Sequence, residues 1–331
     1  MGIKNLTSFL LEHCPEAIRQ SHLSDFKGSK CAIDVSIFLY KFKYKGNKLI
    51  PKFFEQINRL RINDIIPIYI FDGVPPEQKS DVINNRKNKL IYKKNKIDEL
   101  KKELEETEDQ TKINEIKSKI YSLDTKIISI TKDDIYQVKY LFDILNIKYI
   151  QANGEADLLC SNLCKNNIVE FVISEDMDLL TSGTKLLVRD FNINNNKITL
   201  YNLKTILTKL ELSYEKWVEL CIMFGCDYLK RINGIGPKKS LKYIRNCDNI
   251  NEILNNLKSN NICVNEKYLE DFNCSKNIFM NYDIQYWYDS NISIKIDALF
   301  DNQLDNIKQF LFKYTKLSET QISNRIKNIY K

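Results

Sequence analysis

The sequence predicts an α/β fold in which a mostly parallel central sheet is covered by helices on both faces. Three observations lead there. Continuous apolar runs that end in an acid recur, in "SKCAIDVS", "IIPIYIFDGVPP" and "VEFVISEDMD", and uninterrupted apolar strands mark a sheet buried on both sides. Segments of helical character separate these runs, as parallel connections require. A chain of 331 residues can bury a full core, as one large α/β domain or two smaller ones, with neither cofactor nor disulfide needed for folding.

Taken in order, the first run ends at Asp34, and the second ends at Asp72 before Gly73 and the paired prolines of "GVPP", which are turn chemistry. From residue 79 to about 135 the chain becomes dense in Lys and Glu. Ile97, Leu100 and Leu104, then Ile113, Ile116 and Ile120, keep helical spacing, so two amphipathic helices are expected to project from the sheet domain. A helix is expected at "ANGEADLLCSNLC", with Glu155 and Asp157 in its first turn or just before it. The third run carries Asp176 and Asp178. "YEKWVELCIMFG" reads as a helix ending at Gly225, followed by "CDYLKRINGIGPKKSLKYI". The last hundred residues read as helical and loop-rich, with Tyr and Trp expected in the core.

Fifty Lys plus Arg against forty-three Asp plus Glu give a net charge of +7. This surplus suits a polyanionic partner without requiring one. Nine cysteines form no CxxC pair, and the nearest two, Cys160 and Cys164, share a helix face; reduced, mostly buried thiols of an intracellular protein are expected. "MGIKNL" has no apolar signal core, and Leu6 stands where a myristoylation signal needs Ser or Thr. No segment approaches a membrane-spanning length without charges. Runs such as "NINNNK" and "NEILNNLKSNN" read as the bias of an AT-rich genome.

Why would a basic chain gather acids at the ends of apolar strands? Asp34, Asp72, Glu155, Asp157, Asp176, Asp178 and Asp227 are the candidates, and ligands of such folds bind at the carboxyl ends of the strands. Their mutual repulsion calls for hard cations. Carboxylate donors without histidine suit Mg²⁺ or Mn²⁺, and the only histidines are His13 and His22. Two such ions roughly 4 Å apart would support phosphodiester hydrolysis. Glu175 reads instead as an ion-pair or capping residue. In "INGIGPKKS", Gly234 and Gly236 permit a tight turn whose N–H groups can meet a phosphate, Pro237 opens the following helix, and Lys238 and Lys239 add charge.

At this point the chain resembles the flap endonuclease group of the XPG/RAD2 structure-specific 5′ nuclease family. "MGIKNL", "CAIDVSIFLY", "FDGVPPEQKSDVINNR", "GEADLLC", "SEDMDLL" and "GCDYLKRINGIGPKKS" fall in that family's order. The resemblance implies a PIN/5′-nuclease-like core (1–78 and 136–228), a helical arch (79–135), and a helix-hairpin-helix-type duplex-binding region with C-terminal helices (229–331). It also implies two Mg²⁺ ions and a monovalent cation such as K⁺ at the hairpin. Asp34, Asp72, Glu155 and Asp157 resemble ligands of the first metal or of its waters, and Asp176, Asp178 and Asp227 resemble the rest of the set. The family commonly has glutamate where this chain has Asp157. Lys79 and Arg86, seven residues apart on one helix face, match an arch-base pair that contacts the scissile phosphate. Tyr40 matches an aromatic that stacks on a base, and Gly2 lies near the substrate in the family.

The implied activity is cleavage of branched or flapped DNA leaving a 5′-phosphate, in replication, repair or recombination, with 5′-to-3′ exonuclease or Holliday-junction resolvase activity as relatives of the same chemistry. A catalytically silent DNA-binding scaffold is the reading from another class. The tail after "SETQISNRIKNIYK" lacks the family's clamp-binding motif, so a sliding-clamp partner is not expected and a monomer is. Composition and tail together suggest a large DNA virus or an AT-rich microbe as the source, with the nucleus, a cytoplasmic replication site or a virion as the compartment.

Overall fold

The computed structural model describes residues 2–44, 48–125, 127–280 and 301–330. Its strands are β1 (Ile18–His22), β2 (Lys30–Asp34), β3 (Ile66–Phe71), β4 (Tyr149–Gln151), β5 (Phe171–Ile173), β6 (Leu186–Arg189) and β7 (Lys197–Asn202). The first helices are α1 (Leu6–His13), α2 (Val35–Lys43), α3 (Leu49–Ile62), α4 (Ser80–Glu106), α5 (Gln110–Asp124), α6 (Lys132–Ile144), α7 (Ala156–Lys165) and α8 (Asp178–Thr181). There follow α9 (Leu203–Leu210), α10 (Tyr214–Phe224), α11 (Pro237–Asn246), α12 (Ile250–Ser259), α13 (Tyr268–Met280), α14 (Asp301–Tyr314) and α15 (Glu319–Ile329).

The strands form one sheet in the order β1-β7-β6-β5-β2-β3-β4. Its centre is parallel: β2 pairs with β3 and β5, β3 with β4, and β5 with β6. β7 pairs antiparallel with both β1 and β6, so one side of the sheet is mixed. Side chains alternate across the pleat. Ala32, Ile68 and Ile70 enter one core with α1, α7 and α9 to α13, while Cys31, Ile33, Tyr69 and Phe71 enter a second with α2, α3, α6, α14 and α15. The second is aromatic, with Phe142 stacked on Tyr69 at 4.3 Å and edge-on to Phe53 at 5.6 Å.

The Lys- and Glu-rich insertion is the helical hairpin α4–α5, closed by buried Ile97, Leu100 and Ile116. At the other end of the chain, α15 packs back on α3. Ile322, Ile326 and Ile329 are buried, Arg325 pairs with Glu55, the Arg61 Nε donates to the Ile329 carbonyl at 2.9 Å, and the Tyr330 hydroxyl donates to that of Leu145 at 2.6 Å. The expected aromatic core of the last hundred residues holds for Tyr268, which is buried, and in part for Tyr243, Tyr314 and Tyr330, which pack half-buried against the two cores; Trp287, Tyr282, Tyr286 and Tyr288 lie outside the described residues. All nine cysteines are free thiols, seven of them buried, with Cys263 exposed and Cys274 half-buried. Among the described residues no helix is long and apolar enough to cross a membrane.

Two loops at the carboxyl edge of the sheet are pressed together. Gly73 N donates to the Gly154 carbonyl at 2.7 Å and Val74 N to that of Asn153 at 2.8 Å. A Cβ at Gly73 would stand 2.0 Å from the Ala152 carbonyl oxygen, a backbone atom that cannot step aside. Gly73→Ala is therefore expected to cost about 1–3 kcal/mol, read as a lower denaturant midpoint at unchanged slope.

Candidate active site

The carboxylates sit where three neighbouring parallel strands end. Asp34 is the last residue of β2 and the N-cap of α2, its Oδ1 accepting from Ser36 N at 3.0 Å. Asp72 directly follows β3 and holds the next unit in place: Ala156 N, at the start of α7, donates to its Oδ1 at 2.8 Å, and the Ser36 hydroxyl donates to its Oδ2. Glu155 is the N-cap residue of α7 and Asp157 lies in the first turn. Beyond β5, Ser174 donates through its hydroxyl to Asp34 Oδ2 at 3.3 Å, Asp176 accepts from Asp178 N at 3.1 Å, and Asp178 opens α8. Asp227 lies in the loop after α10.

The chain start is threaded against this set. Ile3 N donates to Asp178 Oδ1 at 2.5 Å. Gly2 has φ +88, and a Cβ there would lie 2.3 Å from Asp176 Oδ1 and 2.4 Å from Asp178 Oδ1, so only glycine fits.

Electrostatics tie the acids into one group. Burial, then Asp72 and Asp176, push the Asp34 carboxyl up to about 8 from an ordinary 3.8. Burial followed by Glu155 raises Asp157, with Asp176 and Asp34 adding to it. Burial, then Asp176 and Asp227, raise Asp178. Against these stand two cations from the base of the hairpin. Lys79, in a 3-10 turn just before α4, pairs with Glu155 and lies 3.5 Å from Asp227. Burial disfavours its charge, but Glu155, Asp157 and Asp227 outweigh that and raise its pKa. Arg86 Nη2 donates to Asp227 Oδ2 at 2.7 Å.

The structure thus brings all seven acids, Lys79, Arg86 and Gly2 together. The donor set is carboxylate oxygen without histidine, which fits hard divalent cations. Among the described residues no three acids form a ready-made metal cage. Backbone amides, hydroxyls and the two cations engage much of the oxygen set. Glu175 stands outside the set, paired with Lys41 at 2.6 Å and 3.8 Å from the Arg189 Nε.

Tyr40 lies on α2 beyond Asp34 and is 51% exposed, a surface ring rather than a core one. Gly234 has φ +78, Gly236 is the N-cap of α11 with Pro237 in its first turn, and a Cβ at either glycine would meet nothing within 4 Å. This hairpin borders a cavity of about 410 Å³ shared with Asn5, Ser8, Phe9 and Glu12, with none of the seven acids in its wall. Lys239 also lines it, and Lys238 is tied to Glu12 at 2.6 Å.

Sequence reasoning missed Tyr228, whose hydroxyl donates to Glu155 Oε2 and whose ring lies 5.9 Å from the Lys79 ammonium. Its position directly after Asp227 was the only available signal. It also missed Ser36, Ser174 and the Ile3 amide.

The raised carboxyl of Asp34 has a consequence for stability. Between about pH 4 and pH 8 the unfolded chain has lost this proton and the folded one has kept it, so folding stability falls as pH rises through that window. Asp34→Asn keeps an acceptor for Ser36 N and removes the charge. In EDTA it is expected to melt above the parent at about pH 8 and to lose that advantage towards about pH 5, as thermal scans at the two pH values would show.

The model of the XPG N-terminal domain matches residues 1–92 and that of the XPG I-region residues 146–227, leaving most of the α4–α5 hairpin between them. Flap endonuclease 1 of Enterocytozoon bieneusi is 32% identical across 77% of this chain and 72% of its own. That of Entamoeba histolytica is 30% identical across 99% and 87%. Among solved structures, flap endonuclease-1 from Methanococcus jannaschii matches with a TM-score of 0.65 at 21% identity, covering 99% of this chain and 98% of its own. The catalytic core of Rad2 in complex with DNA substrate matches at 0.67 and 21% identity over the whole of both chains. Human GEN1 in complex with Holliday junction DNA matches at 0.64 and 18%, over 99% and 77%. The structural matches speak for the fold; the sequence matches carry the relationship. The chain belongs to the XPG/RAD2 family of structure-specific nucleases.

Proposed function

We propose that the protein is a structure-specific 5′ flap DNA endonuclease that hydrolyses a phosphodiester to leave a 5′-phosphate. One observation supports this above the others: Asp34, Asp72 and Asp176 stand at the carboxyl ends of neighbouring parallel strands, and Lys79 and Arg86 from the base of the hairpin are laid on the adjoining Glu155 and Asp227. Two Mg²⁺ ions, or Mn²⁺ in their place, would be held by Asp34, Asp72, Glu155, Asp157, Asp176, Asp178 and Asp227, and would supply the Lewis-acid chemistry of the reaction.

The chain's own residues do the rest. The duplex backbone rests on the open turn at Gly234 and Gly236, beside Lys238 and Lys239, with a monovalent cation such as K⁺ belonging to the same element. Unpaired nucleotides reach the acids past Tyr40, which stacks on a base. Lys79 and Arg86 exchange their carboxylate partners for the scissile phosphate and stabilise the charge that develops on it. Gly2 and Ile3 keep the Asp176–Asp178 corner in register. The arch and duplex-binding surfaces select the junction, and DNA is the partner on this reading.

Single-turnover cleavage of a 5′-labelled double-flap DNA tests it. A single flap-length product is expected with Mg²⁺, absent with EDTA or in Asp176→Ala, and slowed about a hundredfold in Lys79→Ala. A ladder of mononucleotides would point to an exonuclease and paired symmetric nicks on a four-way junction to a resolvase. Binding without any cut would leave a DNA scaffold.

A further inference from the structure

Outside the carboxylate site, α6 carries two aromatic rings on its solvent face. Tyr136 is 67% and Tyr140 39% exposed, and their rings are near-parallel, with centroids 6.5 Å apart and planes inclined by 22°. The rings do not stop there. Phe310 of α14 meets Tyr140 at 5.0 Å, and Tyr314 meets Phe310 at 4.8 Å. Four rings from two helices thus form one band, exposed at Tyr136 and Tyr140 and half-buried against the second core at Phe310 and Tyr314. Scattered exposed apolar residues are ordinary on a folded protein, whereas a contiguous band marks an interaction site.

Its surroundings indicate what it takes. Lys132 stands exposed one turn before Tyr136 on the same helix, and the Lys313 ammonium lies 5.3 Å from the Tyr314 ring centre, so a cation flanks each end. The nearby acids of α6 have partners: Asp133 accepts from Gln137 at 2.5 Å, Asp134 is buried against Lys43, and Asp143 bonds Tyr149. The Lys43–Asp134 pair also joins the end of α2 to the start of α6, three residues past Tyr40. The band therefore begins beside the helix that leaves the carboxylate site.

We propose that Tyr136 and Tyr140, backed by the half-buried Phe310 and Tyr314, form a stacking surface for a single-stranded segment of DNA. The 6.5 Å between the two tyrosine rings is close to twice the rise of about 3.4 Å per stacked base, the spacing that admits one base between them. Rings of this kind stack on any base, and lysines at the ends meet the phosphates, which is how single strands are held without sequence preference. The choice of DNA rests on the function proposed above, but the test reads binding and not cleavage.

Fluorescence anisotropy of a labelled oligothymidylate with the full chain in EDTA is the experiment, with a blunt duplex as the second probe. Tyr136→Ala/Tyr140→Ala is expected to weaken oligothymidylate binding about tenfold or more, with duplex affinity unchanged and the fold retained. Tyr136→Phe/Tyr140→Phe is expected to retain the affinity, because stacking needs the ring and not the hydroxyl. Equal oligothymidylate affinity in the alanine variant and the parent would overturn the proposal, as would absence of oligothymidylate binding by the parent. A concentration-dependent dimer abolished by the alanine pair, without effect on oligothymidylate, would assign the band to a second copy of the chain and overturn it too. A protein that cleaves flaps yet shows no such loss refutes this inference alone. One that cleaves nothing yet shows the loss refutes only the nuclease reading.

Discussion

Repulsion among seven carboxylates is the constraint around which this protein is arranged. Like charges repel strongly where water is scarce, and here Asp34, Asp157 and Asp178 are each buried within reach of other acids. The chain offsets this locally. The amides of Ser36, Ala156 and Ile3 donate to Asp34, Asp72 and Asp178, Tyr228 donates to Glu155, and Asp34, Asp157 and Asp178 are pushed towards their protonated forms. What remains is met by Lys79 and Arg86. The same two side chains tie the base of the projecting hairpin to the start of α7 and the loop after α10, so the charge balance and the position of the hairpin are one problem with one solution.

The scaffold serves that edge. Parallel strands β2, β3 and β5 end side by side, which places Asp34, Asp72 and Asp176 together with no loop long enough to wander. Gly73 lets the loop after β3 lie on the loop after β4, bringing Asp72 onto the first turn of α7. Gly2 lets the chain start lie on Asp176 and Asp178. At the opposite side of the core, α15 buries three isoleucines against the sheet domain. The C-terminal helices thereby close the second core, which also contains α6 and its ring-bearing outer face.

Much of the site could be read from the sequence because its signals are local. An apolar run that stops at an acid declares both the strand and the residue at its end, as at Asp34, Asp72 and Asp176. Helix spacing at Ile97, Leu100 and Ile116 declared the hairpin in the same way. What was not legible depends on distant partners. β1 reads "IRQSH", polar at four of its five positions and mostly exposed, and becomes a strand only through its register with β7. Tyr228 acquires a role only because the fold brings Glu155 to it from 73 residues away. Lys79 and Arg86 were placed opposite a phosphate by resemblance, while the structure sets them on Glu155 and Asp227, the partners that the local charge demands.

The central claim is that this acidic edge is a cation site held in balance by Lys79 and Arg86. It is tested most directly by a crystal grown with Mn²⁺ and measured at the manganese edge. The account predicts two anomalous peaks roughly 4 Å apart among the seven carboxylates, with the Lys79 ammonium withdrawn from Glu155. No anomalous peak at saturating Mn²⁺, with Lys79 still seated on Glu155, would contradict it.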